Sequence, residues 1–186
     1  MQREDFRYCA LFCEENVWQL CEQLGDALGP EAEVWLITNP DGTVATWAQR
    51  AASSPDKAIV WDYHVVLLTK DSAHWQVWDF DHDGPFVRPA LDWLRASFPV
   101  DTQAELAPHF RCIPAADYLA NFSSDRSHMH APGRDDLWLA SPPEWPPIGA
   151  PAPSVLQDWL DCDQAQPGSW QSLAQLRARL SSTDPK

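Results

Sequence analysis

From Phe12 onward the apolar positions Val17, Leu20, Cys21, Leu24 and Leu28 recur at intervals of three and four. That spacing predicts a helix with one buried face, with Cys13 at or near its first turn. The β-rich run Val34 to Thr38 ends at Asn39-Pro40-Asp41-Gly42, and this turn signal predicts a hairpin with Thr43 to Trp47 as the returning strand. The strongest strand signal covers Ala58 to Thr69; after the polar break Lys70 to Ala73 a second strand is expected over His74 to Phe80. Leu91 to Phe98 and Ala115 to Phe122 read as short helices, with His109 to Ile113 as a strand between them. Ser123 to His128 is polar and without period, which marks an ordered or functional loop. The stretch Ser141 to Pro153 holds six of the 17 prolines, and Trp138, Trp145 and Ile148 suggest that it packs across the domain surface. Trp170, Leu173, Leu176 and Leu180 stand at helical spacing near the end. The sum is an α/β (α+β) protein, one domain over residues 1–186, with an antiparallel sheet flanked by helices.

Composition narrows the function classes. A chain of 186 residues with 45% hydrophobic residues and 11 Trp can fold around a full core. A formal charge of −14 argues against nucleic acid or an anionic membrane surface as partner, since both need clustered Lys and Arg. An acidic field favours cationic ligands, and the free ammonium of a protein N-terminus is one. Five scattered cysteines, an odd number, oppose a disulfide framework and point to a reducing compartment, the cytoplasm. Met1 to Phe12 carries no apolar run of signal-peptide length, and no stretch approaches the roughly 18 apolar residues of a membrane helix.

The candidate chemistry centres on Cys13. A thiol attacks a carbonyl carbon well only as thiolate, so a catalytic cysteine needs a helix N-terminus and an imidazole nearby. Glu14 and Glu15 suit the helix dipole, yet their charge opposes a thiolate beside them, which leaves His64 to compensate. His64 lies in Trp61-Asp62-Tyr63-His64-Val65-Val66-Leu67-Leu68, where strand propensity gives no reason for an imidazole. If Lys70 to Ala73 form a four-residue connection, Thr69 pairs with His74 and His64 stands opposite Asp79, whose carboxylate can fix the imidazole tautomer. A register shifted by two selects Asp81 instead. Taken singly, each residue has a plainer reading: a packed thiol, a structural histidine, a turn aspartate.

Four blocks change those odds together. Phe12 to Trp18 (FCEENVW), Trp61 to Leu68 (WDYHVVLL), Trp78 to Asp81 (WDFD) and Ala120 to Met129 (ANFSSDRSHM) resemble, in order and spacing, the signature blocks of the protein N-terminal glutamine amidohydrolase family. The proline-rich segment and the Trp-containing C-terminal region also match, so the likeness spans nearly the whole chain. It departs in a short lead-in before Cys13 and in Trp78, where the family pattern has tyrosine. The resemblance implies a papain- or transglutaminase-like fold, monomeric action without a cofactor, a product glutamate that feeds a degradation pathway, and a triad of Cys13, His64 and Asp79. It also implies the mechanism: thiolate attack on the glutamine carboxamide, ammonia protonated by His64, and hydrolysis of a γ-glutamyl thioester by water.

Restriction to an N-terminal residue requires groups that bind the α-ammonium, for which Glu14, Glu15, Asp62 and Asp125 are candidates, with His128 lining the pocket or anchoring its loop. For Asp125 the favoured reading is a loop ion pair with Arg126. Asp79-Phe80-Asp81-His82-Asp83-Gly84 begins like a calcium loop, but its twelfth position is Ala90 where a bidentate glutamate is needed. Zinc on Cys9, Cys13, His128 and His130 lacks a supporting C-x-x-C pair. No metal is therefore expected. The competing activities are another acyl transfer by the same triad (an internal-glutamine deamidase, a transglutaminase or a protease) and a non-catalytic module that binds protein N-termini.

Overall fold

The structure, a computed structural model, describes residues 1–54, 56–71, 74–99, 102–165 and 167–183. Ser72 and Ala73 of the expected turn, and the last three residues of the expected 1–186 domain, lie outside them.

The apolar heptad-like spacing after Phe12 forms helix α1 (Cys13–Leu24), and its buried stripe Val17, Leu20, Cys21 and Leu24 faces the sheet. The strands are β1 (Glu33–Thr38), β2 (Val44–Thr46), β3 (Ile59–Trp61), β4 (His64–Lys70), β5 (Trp75–Trp78) and β6 (Val87–Pro89). Helix α2 (Ala90–Ser97), β7 (His109–Pro114) and α3 (Ala115–Asn121) follow, then the short β8 (His130–Ala131) and β9 (Arg134–Trp138), α4 (Leu156–Leu160), β10 (Ser169–Ser172) and α5 (Leu173–Thr183). Six strands make one antiparallel sheet in the order β10-β7-β1-β4-β5-β6.

Period-two alternation explains why the central strands are apolar throughout. Val34 and Leu36 of β1 and Val65 and Leu67 of β4 pack beneath α1, α3 and α4. Their neighbours Trp35, Ile37, Val66 and Leu68 pack on the opposite face against α2 and α5. The result is an α+β sheet covered on both sides, and no described helix is long and apolar enough to cross a membrane.

Several expectations from the sequence need correction. The Asn39-Pro40-Asp41-Gly42 turn does not fold β2 back on β1, because β4 and β7 already occupy both edges of β1; β2 pairs with β3 in a separate two-stranded sheet. Asn39 instead uses its amide to bind the backbone of Thr43, Glu105 and Ala107. Ala58 to Thr69 is not one strand but two, β3 and β4, in different sheets with Asp62 and Tyr63 between them. Trp170 belongs to β10 rather than the last helix, and lies 4.4 Å from the Arg111 guanidinium, which is fully buried and ties three backbone carbonyls between Asp161 and Pro167. The proline-rich stretch packs as expected through Ile148 and Trp145, but Trp138 sits exposed on β9 against His130.

Candidate active site

Cys13 is the first residue of α1, entered through Leu11 at φ 68°. A left-handed backbone at a branched aliphatic residue costs about 1–3 kcal/mol, and here it turns the chain sharply into the helix. The half-buried Cys13 lines a cleft of about 330 Å³ together with Leu11, Trp61, Asp62, Tyr63, His64 and Asp81, closed by His128, Met129, Leu139 and Gln157. Its polar lining includes one thiol, two imidazoles and two carboxylates.

His64 opens β4 and is buried. Its Nε2 meets Asp79 Oδ1 at 3.0 Å, which leaves Nδ1 as the ring nitrogen not engaged by that carboxylate. The contact does not arise from the register expected. Lys70 pairs with Trp75 and Leu67 with Trp78, two residues away from the Thr69–His74 pairing, because Asp71 and His74 close the turn with the Asp71 N–H on the His74 carbonyl. Extended, this ladder would place Asp81 opposite His64 and Asp79 diagonal to it. A shift of two preserves the face, however, and the ladder stops at Trp78, so the diagonal Asp79 is the carboxylate that reaches the imidazole.

Asp79 is held on both oxygens. Oδ1 also accepts the Asp81 backbone N–H at 2.9 Å, and Oδ2 accepts the Trp93 indole N–H at 3.0 Å. Burial alone would raise this carboxyl, but the His64 charge and these hydrogen bonds outweigh it and hold it at about 2. For His64 burial acts downward, and the Asp79 carboxylate, with Asp81 adding to it, carries the net shift upward. Trp61 stacks on the imidazole with ring centroids 6.2 Å apart and 17° between planes.

Around the sulfur the balance differs. Burial first, then the Glu14 and Asp81 carboxylates, push the Cys13 thiol well above its ordinary value, against the Val65 backbone N–H, which lowers it; Asp62 adds to the rise. A thiol in this setting holds its proton more tightly than an ordinary one.

The candidate binding residues separate clearly. Asp62 and His128 line the cleft. Glu14 does not: its side chain is fully buried behind Cys13, with Oε2 3.8 Å from the sulfur and accepting the Tyr63 hydroxyl at 2.9 Å. Asp125 is exposed and absent from the cleft lining, accepting the Ser127 N–H at 2.9 Å. It makes no ion pair with Arg126. Arg126 is buried and grips Glu15 through two 2.8 Å contacts, Nε to Oε1 and Nη2 to Oε2, while the Trp145 indole donates to Glu15 Oε2 at 2.7 Å.

Asp81, weighed in the sequence only as a rival to Asp79, emerges as a cleft carboxylate in its own right, with its Oδ1 accepting the Tyr8 hydroxyl at 2.7 Å. Among the described residues, His64, Asp79 and Asp81 are also the one group whose donor atoms, within 4.8 Å of one another, could gather around a cation. Both oxygens of Asp79 are already taken by His64, Asp81 and Trp93, an arrangement that suits an imidazole-orienting carboxylate better than a metal ligand.

The family model described as N-terminal glutamine amidase matches residues 8–180. The protein N-terminal glutamine amidohydrolase of Drosophila ananassae is 37% identical over 150 residues, which cover 77% of this chain and 72% of that relative. Its counterpart in Drosophila pseudoobscura pseudoobscura is 38% identical over 151 residues with the same coverage, as is that of Drosophila grimshawi. With a family match over nearly its whole length and relatives at this identity, the chain belongs to the N-terminal glutamine amidase family.

Proposed function

We propose that this protein hydrolyses the side-chain amide of an N-terminal glutamine in proteins or peptides, giving N-terminal glutamate and ammonia, with Cys13, His64 and Asp79 as the catalytic residues. The observation that carries the reading is the His64–Asp79 hydrogen bond at 3.0 Å in the cleft that Cys13 also lines. A nucleophile at a helix start beside an imidazole on an antiparallel sheet is the arrangement of papain- and transglutaminase-like hydrolases, which supports that fold kinship.

In the first half-reaction the Cys13 sulfur bonds to the carboxamide carbon as His64 takes the thiol proton. The C–N bond then breaks, and His64 passes that proton to the departing ammonia. In the second half, water attacks the thioester carbon, loses a proton to His64, and the C–S bond breaks to release glutamate and restore the thiol. Asp79 holds the imidazole in one orientation and stabilises its charged form. The Cys13 backbone N–H, at the first helical position and so without an acceptor inside α1, is the natural donor to the developing oxyanion.

Asp62 and Asp81 give the cleft two carboxylates suited to an α-ammonium, and among the described residues no lysine or arginine lines it. His128 lines the pocket beside them. All three catalytic groups come from one chain, which fits action as a monomer, and the triad is sufficient for amide hydrolysis. Five free thiols fit a reducing cytoplasm. The glutamate product would enter a degradation pathway that reads acidic N-termini.

Mass spectrometry of a Gln-initiated peptide tests the reading. A gain of about one dalton is expected with the native protein and none with Cys13→Ala. Equal deamidation of the N-acetylated peptide would overturn the N-terminal restriction, and amine incorporation would replace hydrolysis by transfer.

A further inference from the structure

We propose that Glu14, Tyr63 and His128 form a second proton-holding network behind the nucleophile, separate from His64 and Asp79, whose charge state sets how readily Cys13 gives up its proton. The proposal deepens the amidohydrolase reading and rests on Cys13 being its nucleophile.

Two adjacent glutamates open α1, both fully buried, and the fold treats them in opposite ways. Glu15 receives a permanent cation, Arg126, and the Trp145 indole as well. Glu14 receives neither lysine nor arginine. Its Oε2 accepts the Tyr63 hydroxyl at 2.9 Å, and its Oε1 has no hydrogen bond and lies 3.5 Å from His128 Nε2. The Tyr63 oxygen is 3.2 Å from the same Nε2, so the three side chains meet around one shared space. His128 Nδ1 is buried without a hydrogen-bond partner, on a ring that lines the cleft.

A buried carboxyl whose partners are a phenol and an imidazole has no fixed counter-charge. Burial raises Glu14 to about 7, with its own backbone N–H and Tyr63 opposing and Glu15 adding. Burial also pushes His128 down. One proton can therefore sit on the carboxyl or be shared with the imidazole, and the two groups titrate as a pair. The groups that face Glu14 are Cys13 and Glu15 on its own helix, Tyr63 ahead of β4, Tyr118 of α3, His128, and Cys9 of the N-terminal segment, and His128 is faced in turn by Asp62, Glu15, Asp125 and His130. Tyr118 donates to the Glu14 backbone carbonyl at 2.9 Å, and Glu15 is neutralised by Arg126, which leaves the Glu14–His128 proton as the variable charge.

That variable charge lies beside the sulfur, at 3.8 Å. Protonated, Glu14 tolerates a thiolate; ionised, it opposes one. Glu14 is thus a positioning residue that acts through Cys13 and its charge, without touching the cleft.

The test follows iodoacetamide alkylation at Cys13, read by peptide mass, from about pH 5.5 to 8.5, in the native protein and in Glu14→Gln, which mimics the protonated form. The variant-to-native rate ratio should be near one at the acid end and rise to about tenfold at the alkaline end. A ratio that does not change with pH overturns the proposal, because a purely structural role gives no such trend. Should Glu14→Gln fail to fold by circular dichroism, Tyr63→Phe removes a bond that favours the ionised carboxyl. It should move the break in the alkylation profile to higher pH, and an unmoved break overturns the proposal equally. Ammonia release from a Gln-peptide, measured in the same samples, keeps the two readings apart: its absence in the native protein would fell the amidohydrolase assignment and not the alkylation trend.

Discussion

The Trp93 indole donates to Asp79 Oδ2 from helix α2 while His64 engages Oδ1 from β4, so the Asp79 carboxylate is clamped between the sheet and the helix that covers it. Removing the donor by Trp93→Phe should cost about 1.5–3 kcal/mol for the bond to a charged acceptor. It should also lower kcat/KM about tenfold, because Asp79 gains rotational freedom. Urea unfolding and steady-state ammonia release check the two halves separately.

Acid stability should report Asp79 directly. Its folded value of about 2 lies below the ordinary carboxylate value, so its contribution is complete above roughly pH 4 and disappears as pH falls through the folded value. The expected size is on the order of 2 kcal/mol. His64 contributes in the opposite sense: its folded value is raised, so its share is complete below the ordinary histidine value and is lost as pH rises through the folded one. Urea midpoints of the native protein should fall between about pH 4 and 2, and Asp79→Asn should flatten that slope.

Arg126 joins the polar loop after α3 to helix α1 and the proline-rich stretch, through Glu15 and the carbonyls of Pro143 and Trp145. Arg126→Ala strands a buried carboxylate and should destabilise the protein by about 3–5 kcal/mol. Arg126→Lys should rescue only part of this, since an ammonium cannot reproduce the planar two-point grip. Thermal melts of the three proteins provide the comparison.

Asp62 is exposed at the cleft, with its Oδ1 on the Tyr63 N–H at 2.9 Å. If it receives the substrate ammonium, Asp62→Asn should raise KM for a Gln-initiated peptide about five- to tenfold, on the order of 1 kcal/mol, with kcat little changed. An unchanged KM would leave Asp81 as the receiving carboxylate.

Much of this architecture was legible because its signals are local. The stripe on α1 and the short helices α2 and α3 follow from period, and the doubly apolar β1 and β4 from their β-branched and aromatic runs. What escaped was pairing. The Asn39 turn looked like a hairpin because nothing in its sequence reveals that β4 and β7 flank β1. The β4–β5 register escaped by two residues, yet the His64–Asp79 contact survived because a shift of two keeps each side chain on its face. The network on Glu14 could not be read at all. It joins residues 14, 63 and 128 from three separate segments, and what sets Glu14 apart from Glu15 is which of them meets Arg126.

The break between β3 and β4 bears on how the cleft tolerates change. In an unbroken strand Asp62, Tyr63 and His64 would point alternately to opposite faces, and one of every two would be lost to the core. The interruption lets three consecutive residues line the same cleft. Spacing here is therefore as constrained as identity: adding a single residue between His64 and Val65 would leave the sheet able to form while turning the imidazole away from its carboxylate, yielding a folded but silent protein.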